Sequence, residues 1–530
     1  MAARRAGDVH DERRWIAGLR RRRCEAPQHL RRAAGGDGGG RDGAETRRGD
    51  PGSGRPDRAG EGAIEPRAQV RLGTLIRKSS LLLVLCLVVG ACSFGSSSRV
   101  ASQPRTATPT PSPPISAEWT EYHRDAGRSG VGPAEPALNA PHVAWNANVD
   151  GAVYASPLIV SGHVIVATEN NTLYSLDIFT GQVIWTKHLG EPVDARSLPC
   201  GNISPVTGIT GTPAIDPTTG RLYVVAFLRG YHHLLYALSP VDGSVLWQQD
   251  IDPSGSNPMV QQQRGGLSIG SGNVYVPLGG LFGDCGAYNG YVVALPLGGG
   301  QGRAYKVPSA RGGSIWAPQG ATFAPDGSLY VVTGNSFGSG FGYSDSVLQL
   351  TPDLQTVKSY FAPSNWAALN AGDTDLGSTG AALLPAMGRV VVIGKEGVAY
   401  LLAAGALGGI GGQLASRRVC SGAWGGTAWR ESTVFVPCAD GLYALSVTPT
   451  SISVAWRAGR PQLGSPIVSA GAVWAVEPSS GTLYALDPGS GQVLFSTGVG
   501  VAEHFSTPAA TDGFVVVPAG QKVVAVSVVA

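Results

Sequence analysis

The stretch LYSLDIFTGQVIW, residues 173–185, decides the fold, because nearly the same phrase returns twice further along the chain. It reappears as LYALSPVDGSVLW at 235–247 and as LYALDPGSGQVLF at 483–495. Each copy contains a short apolar run, a turn with glycine, and a second run that ends in Trp or Phe, which is the pattern of a β-hairpin. Such a repeat predicts one structural unit copied several times rather than several unrelated domains.

The unit also extends upstream. ASPLIVSGHVIVATENN stands before the first copy and GSPIVSAGAVWAVEPSSG before the third, and each adds two further strands. The first tyrosine of the phrase marks a position that recurs at steps of 62 to 39 residues, at Tyr174, Tyr236, Val292, Val347, Tyr400, Tyr443, Tyr484 and Val523. Eight such units predict an all-β fold, an eight-bladed β-propeller of four-stranded blades over residues 118–530.

The last unit ends after three strands, whereas HVAWNANV at 142–149 precedes the first unit and carries Trp145. We expect this N-terminal strand to complete the eighth blade and close the ring, because closure removes exposed strand edges.

Composition and charge restrict the class of partner. The chain has 76 glycines and only 15% charged residues, which favours strands and turns over surface helices. Its formal net charge is +3, but residues 1–70 contain 16 arginines against 11 acidic residues. Residues 79–530 carry 21 basic and 26 acidic side chains, a net charge of −5. Because this net charge is negative, it gives this part no electrostatic attraction to the phosphates of nucleic acid.

The front of the chain predicts export. Residues 1–70 are a disordered leader or a mis-assigned start. In residues 71–91, Arg71, Arg77 and Lys78 precede an apolar run that is too short to span a bilayer, followed by small residues before Cys92. This end resembles a bacterial lipobox, which implies cleavage and lipidation at Cys92; the alternative is an uncleaved anchor helix. The Ser/Pro/Thr-rich residues 92–117 are predicted to be a flexible tether.

The repeated unit resembles the PQQ-type propeller repeat of quinoprotein dehydrogenases and of outer-membrane assembly propeller lipoproteins. The resemblance covers roughly residues 140–530 and is clearest in units one, two and seven. It implies that the aromatic residue of each outer strand docks between blades, at Trp145, Trp185, Trp247, Trp456 and Phe495. Residues 118–130 resemble the capping segment that precedes such propellers.

The candidate site is predicted above units two to five, where loops lengthen at 248–263, 278–289, 334–346 and 362–379. Its polar and stacking residues are Arg196, Asn202, Gln262, Arg264, Trp316, Asn335, Asp345, Trp366, Asn370, Asp373 and Asp375. Asp373 and Asp375, with Asn370, offer the oxygen ligands that Ca²⁺ prefers, but their spacing is not that of an EF-hand; turn-stabilising hydrogen bonds are the alternative. His504 and Trp424 are predicted to begin inner strands near the channel. They are either site residues or polar residues of the core.

Four cysteines remain after the lipobox, and an even number in an exported domain predicts two disulfides. Cys420 precedes the first strand of unit six and Cys438 ends the next, so the hairpin brings them together. Cys200 and Cys285 lie in loops of adjacent blades that open on one face. The alternative is four buried free thiols. The chain has no Cys-x-x-Cys pattern and no histidine spacing that would indicate a zinc site instead of disulfides.

The sequence therefore predicts a monomeric extracytoplasmic propeller, lipid-anchored to the membrane, that acts as a noncatalytic binding or scaffold module for a protein or small molecule. The alternative is a PQQ-dependent dehydrogenase that uses PQQ and Ca²⁺ above blades two to five. The resemblance would then imply an adjacent Cys-Cys pair or a Cys-x-x-Cys-His haem attachment, and the chain has neither. The sequence gives little support to a propeller that cleaves polysaccharides, since no pair of carboxylates stands at a spacing that indicates this chemistry.

Overall fold

The computed structural model describes residues 118–133, 137–460, 462–511 and 513–530. The predicted leader (1–70), signal peptide (71–91), Cys92 and tether (92–117) lie outside the described residues. The described chain forms eight antiparallel sheets in sequence order, which confirms the eight-bladed propeller. No helix in this part of the chain is both long and apolar enough to span a membrane.

The blades share one plan, in which four strands run from the channel outward. Strand β1, His142–Asn148, comes first in the chain. The strands of blades one to four follow: β2 (Leu158–Val160), β3 (His163–Ala167), β4 (Thr172–Asp177), β5 (Val183–His188); β8 (Ala214–Ile215), β9 (Leu222–Leu228), β10 (His232–Leu238), β11 (Val245–Asp250); β13 (Ser268–Gly270), β14 (Asn273–Gly280), β15 (Tyr291–Pro296), β16 (Arg303–Lys306); β17 (Thr322–Phe323), β18 (Leu329–Val332), β19 (Val347–Leu350), β20 (Val357–Ala362).

Blades five to eight continue the plan, and β1 serves as the outer strand of blade eight. Their strands are β21 (Ala382–Leu384), β22 (Arg389–Ile393), β23 (Val398–Ala403), β25 (Ala415–Arg418); β26 (Ala428–Arg430), β27 (Thr433–Cys438), β28 (Gly441–Val447), β29 (Ile452–Ala458); β30 (Ile467–Ser469), β31 (Ala472–Glu477), β32 (Thr482–Leu486), β33 (Val493–Gly498); β34 (Ala509–Thr511), β35 (Phe514–Pro518), β36 (Lys522–Ser527).

The insertions contain structure that the sequence did not reveal. Two short strands join existing sheets: β12 (Gln261–Gln262) pairs with the end of β14, and β24 (Gly409–Ile410) pairs parallel with β20. Strands β6 (Val193–Asp194) and β7 (Val206–Thr207) form a separate hairpin. Helix α1 spans Trp366–Gly372, and short 3-10 turns span Ala195–Ser197, Pro258–Val260, Leu376–Ser378 and Pro385–Met387. The prediction of plain loops at 248–263, 278–289 and 362–379 is therefore wrong in part, because elements this short leave no periodic pattern.

The recurring position of the sequence phrase lies on the third strand of every blade, from Tyr174 in β4 to Val523 in β36. Ring closure is confirmed as well. Strand β1 pairs antiparallel with β36 from His142 opposite Ser527 to Asn148 opposite Lys522. The eighth sheet therefore contains strands from both ends of the propeller, and its outer edge is supplied by the N-terminal side.

Neighbouring blades are fastened by the outer-strand tryptophans, as predicted. The indole Nε1 of Trp185 in blade one donates to the carbonyl oxygen of Pro240 in blade two at 2.9 Å. Gly243 beneath this ring has a φ of +70°, and a Cβ there would strike the indole. Trp145 makes the same contact from blade eight to the Ile178 carbonyl of blade one at 2.7 Å. The glycine of the repeated phrase is thus required by both the turn and the docked ring.

The connections between strands define two faces of the ring. We term one of them the loop face. It contains the loops that lead from an outer strand to the next inner strand, such as 149–157, and those that join the second strand to the third, such as 168–171. We term the other the turn face. It contains the tight turns that join the first strand to the second, such as 161–162, and the third strand to the fourth, such as 178–182. The predicted long loops all open on the loop face.

Residues 118–131, which we term the plug, pass inside the ring and pair with its inner strands. The plug runs beside the free edges of these strands, whose backbone groups would otherwise lack partners. Six inner strands donate a backbone amide to it, from Ile159, Ile215, Ile269, Phe323, Trp429 and Val468 in blades one, two, three, four, six and seven. The acceptors follow the order of the ring, from the Trp119 carbonyl to the Gly130 carbonyl.

Arg128 fixes the centre of the plug and is fully buried. Its guanidinium donates to the Glu121 carboxylate at 2.9 Å and to the carbonyl oxygens of Leu267 at 2.8 Å and Ala321 at 3.1 Å. Burial raises the pKa of Glu121 to about 7, although Arg128 opposes that shift. One side chain therefore joins the plug to blades three and four through charge-assisted hydrogen bonds.

Both predicted disulfides are present. Cys420 and Cys438 join residues on the two sides of the first hairpin of blade six, with 6.3 Å between their Cα atoms. Cys200 and Cys285 join loops of blades two and three, with 6.1 Å between their Cα atoms. The second bridge links two of the long connections on the loop face.

We expect Arg128→Met to lower the free energy of unfolding by about 3–5 kcal/mol, because the change leaves a buried carboxylate without its charge partner. Urea denaturation followed by tryptophan fluorescence measures the effect. Arg124→Met is the matched control: Arg124 is only half-buried and donates to the Val131 carbonyl, so its loss should cost about 1 kcal/mol or less. Equal losses in the two variants would contradict the central role of Arg128.

Candidate functional site

A group of side chains that we term the mouth cluster lines a small pocket on the loop face. Its members come from blades on both sides of the ring closure and are Tyr154, Arg264, Trp316, His504 and Phe505. The rings of Trp316 and Phe505 are 6.1 Å apart, and those of His504 and Phe505 are 3.8 Å apart. The cavity that remains among them has a volume of about 30 Å³, which is room for one or two water molecules.

Arg264 is held by two of the predicted site residues. Its Nε donates to the Gln262 side-chain oxygen at 2.8 Å, and its Nη2 donates to the Asn202 side-chain oxygen at 3.0 Å. Gln262 is buried in β12, so the added strand of blade three positions the guanidinium. The structure thus brings together four of the predicted site residues, Asn202, Gln262, Arg264 and Trp316.

Glu169 lies near this arginine, and Glu503 lies beside Tyr154 of the mouth cluster. Glu169 is 2% exposed and accepts the backbone amide of Gly208 at 2.7 Å. Burial raises the pKa of Glu169 to about 7 and also raises the pKa of Glu503, which hydrogen-bonds to Tyr154. Burial lowers the pKa of His504 to about 4, so that imidazole is neutral at physiological pH. The mouth cluster therefore combines the Arg264 guanidinium with a neutral imidazole, and beside it lie two buried carboxyl groups whose pKa values are raised.

A second group, the lysine cluster, contains Asp345, Asp373, Asp375 and Lys395. The Lys395 Nζ lies 2.6 Å from an Asp375 carboxylate oxygen and 3.1 Å from an Asp373 oxygen. Burial lowers the pKa of Lys395, but the two carboxylates raise it more, so the net shift is upward. The Lys395 ammonium therefore stays charged and balances the negative charges of Asp373 and Asp375.

Asp345 completes the lysine cluster in a different protonation state. One of its carboxylate oxygens accepts the Leu376 amide at 2.9 Å, whereas the other has no hydrogen-bond partner among the described residues. Burial, and then the neighbouring Asp375, raise the pKa of Asp345 to about 8. The side chain is therefore largely protonated at neutral pH.

The remaining predicted residues make local contacts. Asn335 donates its backbone amide to Asp375 at 2.7 Å, and Asn370 accepts the Ser336 amide at 2.9 Å. Trp366 meets the edge of the Phe341 ring at 5.1 Å, within an aromatic group of blade four. Arg196 is highly exposed and pairs with Asp194 at 2.8 Å. Trp424 packs over Gly422 beside the bridged hairpin. None of these five lines the mouth cavity.

Three residues of the two clusters, Tyr154, Lys395 and Phe505, were missed by the sequence reasoning, as was Glu169 beside Arg264. They lie in short connections, whereas the prediction followed mainly the long loops. Glu169 and Lys395 both follow a second strand, in VATEN and VIGKE, where the chain opens on the loop face. A charged residue at that place in each repeat was the available signal.

Asp345→Asn should remove a pH-dependent loss of stability. The pKa of Asp345 is about 8 when folded and near 3.8 when unfolded, so the folded protein keeps a proton that the unfolded chain releases. The free energy of unfolding therefore falls as pH rises between these values. The variant should match the parent near pH 3, where Asp345 is protonated in both the folded and the unfolded chain, and be more stable at pH 8.5, as measured by urea denaturation.

The control for this experiment is Asp353→Asn, at an exposed carboxylate whose pKa is held low by a hydrogen bond from Thr351. It should gain no stability at high pH. An Asp345→Asn variant whose stability falls with pH as steeply as that of the parent would contradict the assignment.

The comparisons with known proteins agree with this geometry. Residues 139–337 match the sequence model of the family described as outer membrane protein assembly factor BamB. The match covers less than half of the chain. No curated protein matches the chain in sequence.

Solved structures of similar fold cover most of the chain. Quinohaemoprotein alcohol dehydrogenase ADHIIG from Pseudomonas putida HK5 superposes with a TM-score of 0.63 at 14% identity, covering 78% of this chain and 80% of its own. A europium-containing methanol dehydrogenase gives 0.63 at 12% identity, over 78% of this chain and 98% of its own. BamB from Moraxella catarrhalis gives 0.51 at 12% identity, over 73% of this chain and all of its own.

At these identities the likeness shows the fold alone, because one propeller scaffold carries many functions. The repeat match and the fold agree with the resemblance seen in the sequence: the chain folds as an eight-bladed β-propeller, and its residues 139–337 are similar to the family described as outer membrane protein assembly factor BamB.

Proposed function

We propose that the protein is a noncatalytic binding module, held outside the cell membrane by a lipid on Cys92, which presents its loop face to a partner. The observation that carries this proposal is the small volume of the pocket inside the mouth cluster. Ligand pockets of proteins usually measure roughly 300–1,000 Å³, whereas about 30 Å³ remains inside the mouth cluster. The site has the character of a packed surface rather than of a reaction chamber.

The residues present do not fit a tricyclic quinone cofactor. Such a planar group requires a slot of its own area, whereas the pocket that Trp316 and Phe505 line, with 6.1 Å between their ring centres, has a volume of about 30 Å³. The predicted calcium ligands Asp373 and Asp375 already share an ammonium, that of Lys395. We therefore derive no reaction step through such a group, and the dehydrogenase alternative is supported by the likeness of fold only.

The loop face offers anchors of the kind that protein partners use. Phe282 and Phe337 are 41% and 38% exposed on the connections of blades three and four. The Arg311 guanidinium lies 4.0 Å from the centre of the Phe337 ring. Aromatic and arginine side chains dominate the centres of protein interfaces, and the Cys200–Cys285 bridge holds one of these loops in place. A protein partner is the ligand class that this face suits.

PQQ and Ca²⁺ should bind neither alone nor together to the purified propeller. A ligand that binds the folded state raises the unfolding temperature by mass action, so thermal unfolding with and without both compounds measures the interaction. We expect no shift and no dye-linked alcohol oxidation, with a known quinoprotein as the positive control. Stoichiometric PQQ retained through gel filtration would overturn the proposal and favour a dehydrogenase.

Lys395→Met provides a matched variant for the metal question. Without the ammonium, Asp373 and Asp375 lose their counter-ion, so we expect a less stable protein that Ca²⁺ partly restores. The parent should not respond to Ca²⁺. A parent protein stabilised by Ca²⁺ would show that the lysine does not stand in for a metal ion.

The membrane attachment is tested at Cys92. The Cys92→Ser precursor should remain uncleaved and take up no palmitate label, because lipidation requires the thiol, whereas Ser93→Ala should be processed normally. Two acyl chains give stable anchoring where a single chain is marginal. A parent protein found as a free secreted chain with another N-terminus would contradict the attachment.

A further inference from the structure

An unusual row of exposed apolar side chains follows the turn face at the outer edge of blades eight, one and two. We term it the apolar rim. Its members are 36–72% exposed and are Val143, Phe179, Val183, Ile184, Val241, Val245 and Leu246. Scattered exposed apolar residues are normal, but a contiguous row marks a surface that contacts another apolar phase.

The rim is continuous because of the way the blades dock. Trp145 of blade eight bonds to the carbonyl of Ile178, which places the Phe179 turn beside the outer strand of blade eight. Trp185 of blade one bonds to Pro240 in the same way and places the Val241 turn beside blade one. Phe179 also meets the edge of the Phe514 ring of blade eight at 5.8 Å. The three blades therefore share one apolar border.

The fold does not require apolar residues at the tips of these turns. In blade one the Asp177 side chain accepts the backbone amide of Phe179 at 3.0 Å. In blade seven the Asp487 side chain accepts the amide of Gly489, also at 3.0 Å. The same turn thus forms with glycine at the tip. Phe179 and Val241 are 63% and 72% exposed, so their apolar character serves something other than the turn.

The chain enters the propeller at this part of the turn face. The Glu118 carboxylate accepts the backbone amide of Ser161, in the first turn of blade one. Whatever precedes Glu118 is therefore attached next to the middle blade of the apolar rim. The loop face, with the mouth and lysine clusters, is the opposite side of the ring.

We propose that the apolar rim rests on the lipid bilayer to which the chain is attached, with Phe179 and Val241 inserted into the headgroup boundary and the loop face turned away from the membrane. This inference rests on the proposed membrane attachment. A lipid surface fits the rim better than a protein partner does, because the rim is a row of exposed apolar turn tips and strand ends. It also lies beside the point where the chain would be tethered.

Vesicle flotation tests the contact apart from the anchor. The unacylated mature chain, residues 92–530 with Cys92→Ser, is mixed with vesicles of phosphatidylethanolamine and phosphatidylglycerol at millimolar lipid. We expect measurable binding, because several apolar side chains leave water together. Adding Phe179→Ser and Val241→Ser should lower the partition coefficient at least tenfold, while the unfolding temperature stays unchanged.

Val501→Ser is the matched control, since Val501 is 68% exposed but lies on the loop face. It should change the partition coefficient less than twofold. No flotation of the chain with an intact rim, or an equal loss with Val501→Ser, would overturn the proposal. Mass spectrometry of the native protein reports acylation separately. If the native protein is acylated but the rim makes no contact with lipid, the proposal for the rim is refuted and the lipid anchor is not. If the native protein is unacylated but its chain floats with vesicles, the lipid anchor is refuted and the proposal for the rim is not.

Discussion

The buried guanidinium of Arg128 is the contact on which the ring depends. Eight sheets arranged around a channel leave the inner edges of eight strands without backbone partners, and buried groups of this kind are costly. The plug supplies partners to six of them, and Arg128 ties the plug to Glu121, Leu267 and Ala321. Because a lone buried charge would destabilise the fold, the arginine and its acceptors have to be present together.

The plug also explains how distant parts of the chain are held in one structure. The Tyr122 hydroxyl is 3.2 Å from that of Thr507, 385 positions along the chain, and β1 pairs with β36. The entropic cost of closing such a loop grows only with the logarithm of its length. A propeller can therefore be closed between its two ends without a large penalty in stability, provided that the closing strand and the plug are both in place.

The sequence predicted the features that repetition makes visible and missed those that arise once. The third-strand position and the closing strand follow from comparing one unit with the next. The docking of Trp145 and Trp185 was implied by the family resemblance, and both disulfides follow from where the cysteines lie on the strands and loops of the repeated unit. Helix α1, and the strands β12 and β24, are too short to show a period. Phe505 and Lys395 were missed for a different reason. A ring brings the loop face of every blade to one centre, so a residue in a short connection reaches the mouth as easily as one in a long loop.

The two clusters on the loop face show why the fold does not determine the chemistry. A propeller channel gathers buried carboxylates from several blades, and each must lose its charge or gain a partner. In this chain Asp373 and Asp375 share an ammonium, Asp345 keeps a proton, and Glu169 has a pKa close to neutrality. Asp345 and Glu169 each keep one buried carboxylate oxygen without a hydrogen-bond partner among the described residues, so burial rather than pairing sets the protonation of these two acids.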